Sequence, residues 1–141
     1  MKVKKLKKND TIGLIIASSC NRQQERMPKI EAIIKSLGYN YKYGKTVFLK
    51  DGYLAGTDEE RVKDIHDFFM DDNINAILCF KGGFGASRIV DKIDYKLIAE
   101  HPKLFIGLSD VTALLNNFYK YSHLPTIHGE VGILLGSKNI D

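Results

Sequence analysis

At 141 residues, with 44% hydrophobic and 27% charged side chains, the chain can bury one core and is too short for two ordinary domains. No stretch approaches the roughly 18 uninterrupted apolar residues of a membrane span, so a soluble protein with no membrane partner is expected. The net charge of +4 comes largely from Lys2, Lys4, Lys5, Lys7 and Lys8; these lysines precede a strand and lack the aromatics of a nucleic-acid reader, so they are read as a solvated edge with no nucleic-acid partner.

The amino-terminal segment admits two readings. Met1 to Lys8 is basic, Ile12 to Ala17 is apolar, and Ala17, Ser18, Ser19 and Cys20 loosely match a lipoprotein cleavage box. The apolar run falls short of a secretory core of about 7 to 15 residues, and Ala17 stands where that box prefers Leu. A first β-strand over Thr11 to Ala17 is the better reading. Cys20 and Cys79 carry no metal spacing and no convincing export signal accompanies them, so reduced thiols in the cytoplasm are expected.

Along the rest of the chain, short apolar runs alternate with stretches of helical period, the pattern of an α/β fold with a mostly parallel sheet flanked by helices, Rossmann-like or flavodoxin-like. After the first strand, Ile30, Ile33, Ile34 and Leu37 line one face of a helix that Gly38 ends. A second strand lies within Tyr39 to Val47. Thr57 with Asp58, Glu59 and Glu60 predicts a capping box, and Val62, Ile65, Phe68 and Phe69 supply the buried stripe of the helix it opens. A third strand covers Ile74 to Phe80, a helical stretch follows Gly85, and a fourth strand covers Leu104 to Gly107 with a helix after Ser109. A short fifth strand is expected around Thr126 to His128. No repeat, low-complexity tract or linker marks an internal boundary. The segment from Gly129 to Asp141 has an apolar centre, Val131 to Leu135, and no closing helix, which reads as a chain cut where more protein would follow.

Reactive groups of open α/β sheets collect at the carboxyl ends of the strands. Two segments qualify. In Lys81-Gly82-Gly83-Phe84-Gly85-Ala86-Ser87-Arg88 the glycines let the backbone approach a ligand and leave N–H groups free for an anion. It is neither a P-loop, since no Lys-Ser or Lys-Thr follows the last glycine, nor a dinucleotide fingerprint, since Arg88 takes the third glycine position. A tight strand-to-helix turn without a ligand accounts for it equally well. In Leu104-Phe105-Ile106-Gly107-Leu108-Ser109-Asp110-Val111-Thr112 an apolar strand turns sharply into a helix, as at a nucleophile elbow. Val111 nevertheless stands where the usual elbow has glycine, and Ser109 or Asp110 as a plain helix cap also fits the pattern.

Four spaced motifs, in order, resemble those of the LD-carboxypeptidase family. They are Tyr53-Leu54-Ala55-Gly56-Thr57-Asp58-Glu59-Glu60-Arg61, the glycine segment from Lys81 to Arg88, Gly107-Leu108-Ser109-Asp110-Val111-Thr112-Ala113-Leu114, and Thr126-Ile127-His128-Gly129. Asp10-Thr11-Ile12-Gly13 fits as well, so the likeness covers essentially the whole chain, residues 1–141, as a nucleophile-bearing N-terminal domain. The family's C-terminal domain is absent from it. The resemblance implies Ser109 as the serine nucleophile, backbone N–H groups of Gly82 or Gly83 and of Asp110 as oxyanion donors, and a Glu and a His from the second domain to complete the triad. It also implies a reaction without metal or other cofactor, and a murein tetrapeptide substrate that loses its terminal D-alanine during cell-wall recycling. Some relatives instead inactivate peptide-nucleotide antibiotics.

Departures from the family pattern are Ser18-Ser19-Cys20 in place of a Pro-containing stretch, Leu108 where an aromatic is common, and Glu130 where Pro is usual. His128 and Glu130 tempt one to complete a triad within the chain, but the resemblance assigns the base elsewhere. Arg88 is a candidate for holding a substrate carboxylate, with a surface ion pair as the plainer role. Two further readings compete: a noncatalytic module binding a nucleotide or other anion at the glycine loop, and an interaction fragment that pairs with a separately encoded second half. Apolar surface meant for a second domain would favour self-association, so a homodimer is compatible with the sequence.

Overall fold

The computed structural model describes residues 3–132. Lys2 of the basic cluster and residues 133–141, including most of the apolar tail segment, lie outside the described residues. Lys4, Lys5, Lys7 and Lys8 are exposed, as a solvated edge requires.

Five strands form one wholly parallel sheet in the order β2-β1-β3-β4-β5, where β1 is Thr11–Ile15, β2 Asn40–Tyr43, β3 Ala76–Cys79, β4 Leu104–Gly107 and β5 Ile127–His128. This is the doubly wound order of the flavodoxin type, whose switch point lies between the first and third strands. Every residue of β3 and all but the first of β1 is buried, the near-continuous apolar signature of central parallel strands. The first strand stops two residues earlier than its apolar run because the Ile16 N–H leaves the ladder and donates to Thr46 Oγ1 at 2.9 Å. Thr46 in turn donates its own N–H and hydroxyl to the buried Asp64 carboxylate.

Helix α1, Met27–Ser36, buries Ile30 and Ile34, while Ile33 is partly buried and Leu37 is exposed. Gly38 ends it with φ +93, and the Gly38 and Tyr39 N–H groups return to Lys35 and Ile34 carbonyls, a Schellman closure. Helix α2, Asp58–Met70, begins with the reciprocal Thr57–Glu60 capping box. It approaches the sheet so closely at Gly13 that a β-carbon there would stand 2.6 Å from Phe68. The stretch after Gly85 is shorter than the periodicity predicts: Ala86–Ile89 make only a 3-10 turn, and the true helix α3, Tyr95–Glu100, starts later under an Asp94 cap on the Leu97 N–H. Helix α4, Thr112–Ser122, buries Leu114, Leu115 and Phe118. Phe69 stacks on Phe105, and Phe118 meets both edge-on, so one aromatic cluster joins α2, β4 and α4.

In an all-parallel sheet the carboxyl ends of β1, β3 and β4 open at one edge, side by side. The glycine loop follows β3 and the Ser109 turn follows β4, so both sit there.

Candidate active site

The chain leaves β4 at Gly107, runs extended through Leu108 and turns at Ser109, whose φ of +62 is left-handed. A residue with a β-carbon occupies that region at a cost of about 1 to 2 kcal/mol, and such strain persists only where surrounding structure holds it. A 3-10 turn, Ser109–Val111, then feeds α4. The serine is exposed, and among the described residues its hydroxyl has no hydrogen-bond partner. Neither Ser109 nor Asp110 caps α4, which has no side-chain cap. Val111 is tolerated in place of the customary glycine because it packs over Gly107, where a β-carbon would approach Val111 Cγ1 to 2.6 Å. The glycine before the serine supplies the space that the residue after it fills.

The glycine loop lies directly against this turn. A β-carbon on Gly82 would stand 3.4 Å from the Leu108 carbonyl oxygen and from Ser109 Cβ, and 3.9 Å from Ser109 Oγ. Gly83 and Gly85 have φ of +106 and +125, and a β-carbon on Gly83 would overlap the Ser19 hydroxyl. Only glycine fits those two positions.

Four side chains fix the loop. Ser18, fully buried at the end of the first strand's run, donates its hydroxyl to the Gly82 carbonyl at 2.7 Å. Because the peptide is planar and trans, pinning that carbonyl also fixes the direction of the Gly83 N–H, opposite to it. The Asp110 carboxylate accepts the Ala86 N–H at 2.7 Å, tying the elbow to the far end of the loop. Arg61, from α2, is buried with 0% exposure and donates to the carbonyls of Ala17 and Gly85, both at 2.9 Å. Lys81 donates its ammonium to the Cys20 carbonyl at 2.9 Å.

The electrostatics follow from these contacts. The hydrogen bond from Arg88, with the charges of Arg61 and Arg88 behind it, holds the Asp58 carboxyl below its ordinary range. Burial lowers the Arg61 guanidinium, partly offset by Asp58. Burial also lowers the Lys81 ammonium, and the like charge of Arg22 adds to that. The Cys79 thiol, behind Gly107, is pushed far up by complete burial and is inert as a nucleophile.

Of the residues expected at the site, Gly82, Gly83 and Asp110 gather around Ser109. The N–H groups of Gly82 and Gly83 have no acceptor among the described residues, and that of Asp110 lies in a first helical turn, where N–H groups have none within the helix. Arg88 lies on Asp58, at 3.2 and 3.3 Å, in the surface ion pair that was its plainer reading. His128 stands opposite Gly107 in the β4–β5 register, exposed, with no described hydrogen bond to Ser109. Among the described residues no three His, Cys, Asp or Glu side chains group as a metal site, and no helix is long and apolar enough to cross a membrane.

Arg61 and Ser18 were not anticipated. Arg61 was detectable, since it lies four and seven residues before Ile65 and Phe68 and so shares the buried face of α2. Ser18 gives no such signal.

Comparison with known proteins places this geometry. The Bacillus subtilis protein described as a probable murein peptide carboxypeptidase is 41% identical over 128 residues, covering 91% of this chain and 40% of that protein. The Pseudomonas aeruginosa murein tetrapeptide carboxypeptidase is 38% identical over 111 residues, covering 76% of this chain and 36% of the relative. A solved MccF-like protein from Bacillus anthracis superposes with a TM-score of 0.92 at 32% identity, over 98% of this chain and 43% of that one. The chain thus spans about two fifths of the length of the curated relatives it matches. Residues 12–129 match the family described as the LD-carboxypeptidase N-terminal domain, and the chain belongs to the LD-carboxypeptidase family.

Proposed function

We propose that this chain is the nucleophile-bearing half of a serine-type LD-carboxypeptidase that releases the terminal D-alanine of murein tetrapeptide. One observation carries the reading: the loop backbone at Gly82 abuts a strained, exposed Ser109 whose hydroxyl is not committed to any described partner. Ser109 Oγ attacks the carbonyl of the L-residue, and its proton passes to a His supplied by a second domain. The C–N bond then breaks, D-alanine leaves with that proton, and water hydrolyses the ester. The N–H groups of Gly82 or Gly83 and of Asp110 hold the oxyanion, each such donor being worth about 3 to 4 kcal/mol in the transition state. A positioned base contributes typically 10² to 10⁴-fold. The chain by itself is therefore expected to release D-alanine at no enzymatic rate.

The murein reading is preferred to antibiotic self-immunity because identity is 41% with the murein peptide relative and 30% with the Escherichia coli microcin C7 self-immunity protein. The test is D-alanine release from an L,D-linked tetrapeptide by this chain joined to the C-terminal part of the Bacillus subtilis relative. Release that disappears with Ser109→Ala and persists with His128→Ala is expected. Equal loss with both, folding intact, would place the base within this chain.

A further inference from the structure

The left-handed turn at Ser109 can act as a nucleophile elbow only while it stays pressed against the glycine loop. Among the described residues one side-chain hydrogen bond joins the two. Asp110 directly follows Ser109, and its carboxylate accepts the Ala86 N–H at 2.7 Å. The plain role of an acid here is to complement the start of α4, but α4 has no side-chain cap, and the carboxylate turns to the loop instead. Gly85 and Ala86 are both buried, so the peptide between them must find its partners within the protein. Those partners carry opposite charges. Arg61 Nη1 donates to the Gly85 carbonyl at 2.9 Å, beside the Arg88 N–H at 3.1 Å, and Asp110 takes the N–H of the same peptide. In a planar trans peptide the C=O and N–H point opposite ways, so a cation on α2 and an anion on the elbow grip one amide from both ends. Hydrogen bonds to ionised groups are stronger than neutral ones, and two in series through one amide polarise each other.

Resting on the reading of Ser109 as nucleophile, we propose that the Asp110 carboxylate is a positioning residue: through the Gly85–Ala86 peptide and Arg61 it holds the Ser109 turn against the N–H groups of the glycine loop. The two parts of Asp110 then have separate tasks. Its N–H serves the oxyanion, and its carboxylate sets where that N–H and the neighbouring hydroxyl stand.

Asp110→Ala deletes the carboxylate and keeps the N–H, whereas Asp110→Asn keeps an acceptor of the same shape. In the 141-residue chain, hydrogen exchange at the Ala86 amide, read by NMR, should be about tenfold faster in Asp110→Ala, the scale of one hydrogen bond to a charged group. The Gly82 and Gly83 resonances, across the crevice from the substitution, should move as well, and Asp110→Asn should keep all three near native. In the chain joined to the C-terminal part of the Bacillus subtilis relative, Asp110→Ala should lower kcat for D-alanine release about 10 to 100-fold with KM within about twofold. Asp110→Asn should recover most of that loss. Dispersion of the remaining amides reports folding; if Asp110→Ala unfolds, Asp110→Asn decides, since a kcat loss of about tenfold or more there would mean that the acceptor is not what positions Ser109. Unmoved Gly82 and Gly83 resonances in folded Asp110→Ala, or an unchanged kcat, would overturn the positioning role and leave Ser109 as the nucleophile. If the unaltered joined enzyme releases no D-alanine, the carboxypeptidase reading fails instead, and the exchange and resonance shifts still decide whether Asp110 holds the turn.

Discussion

The two halves of the sheet's carboxyl edge are built differently. Between β1, β3 and β4, buried or half-buried polar side chains from three segments converge on one glycine loop, and a left-handed serine is held beside it. At the outer side, β5 has only two residues, both exposed, joined to β4 by a short register. Strain survives in the first region because several hydrogen bonds over-determine it. Among the described residues no comparable side-chain bond positions His128. The contrast distinguishes a turn and loop fixed by several side-chain hydrogen bonds from a short exposed strand with few such bonds among the described residues.

Four substitutions probe that contrast, in order of decreasing cost. Arg61→Leu removes a buried cation and strands the carbonyls of Ala17 and Gly85, so a loss of about 3 to 5 kcal/mol in urea unfolding is expected. A loss below 1 kcal/mol would mean the loop is held without it. Gly107→Ala drives a methyl into Val111, a clash worth about 1 to 3 kcal/mol of stability, and should displace the Ser109 turn, visible as shifted amide resonances from Leu108 to Thr112. Ser18→Ala should cost about 0.5 to 1.5 kcal/mol yet speed hydrogen exchange at Gly83 and nearby loop amides. Unchanged exchange there would show that the Ser18 bond does not orient the loop. His128→Ala should stay within about 0.5 kcal/mol of the native chain, and a loss like that of Arg61→Leu would erase the distinction between the two regions.

Much of this was legible in the residues. Apolar runs and helical stripes located all five strands, and Thr57 with Glu60 announced its capping box because a cap is a local interaction. The two motifs of the site were visible for the same reason: glycine and serine at strand ends advertise backbone geometry. What holds those motifs together was not visible. Of the polar side chains that do so, Arg61 alone is marked, by its spacing to Ile65 and Phe68 on the buried face of α2, while Lys81, Ser18 and the Asp110 carboxylate carry no local signal of the role. Their partners are backbone groups 24 to 64 residues away, which no local pattern encodes.

If Ser109 is the nucleophile proposed above, its Oγ carries the acyl group during turnover. The direct measurement is peptide mass mapping of the completed enzyme, acid-quenched during turnover of the L,D-linked tetrapeptide. The peptide containing Ser109 is expected to gain the mass of the tetrapeptide less that of D-alanine, with no gain in Ser109→Ala. An adduct on another side chain, or undiminished D-alanine release by Ser109→Ala, would contradict it.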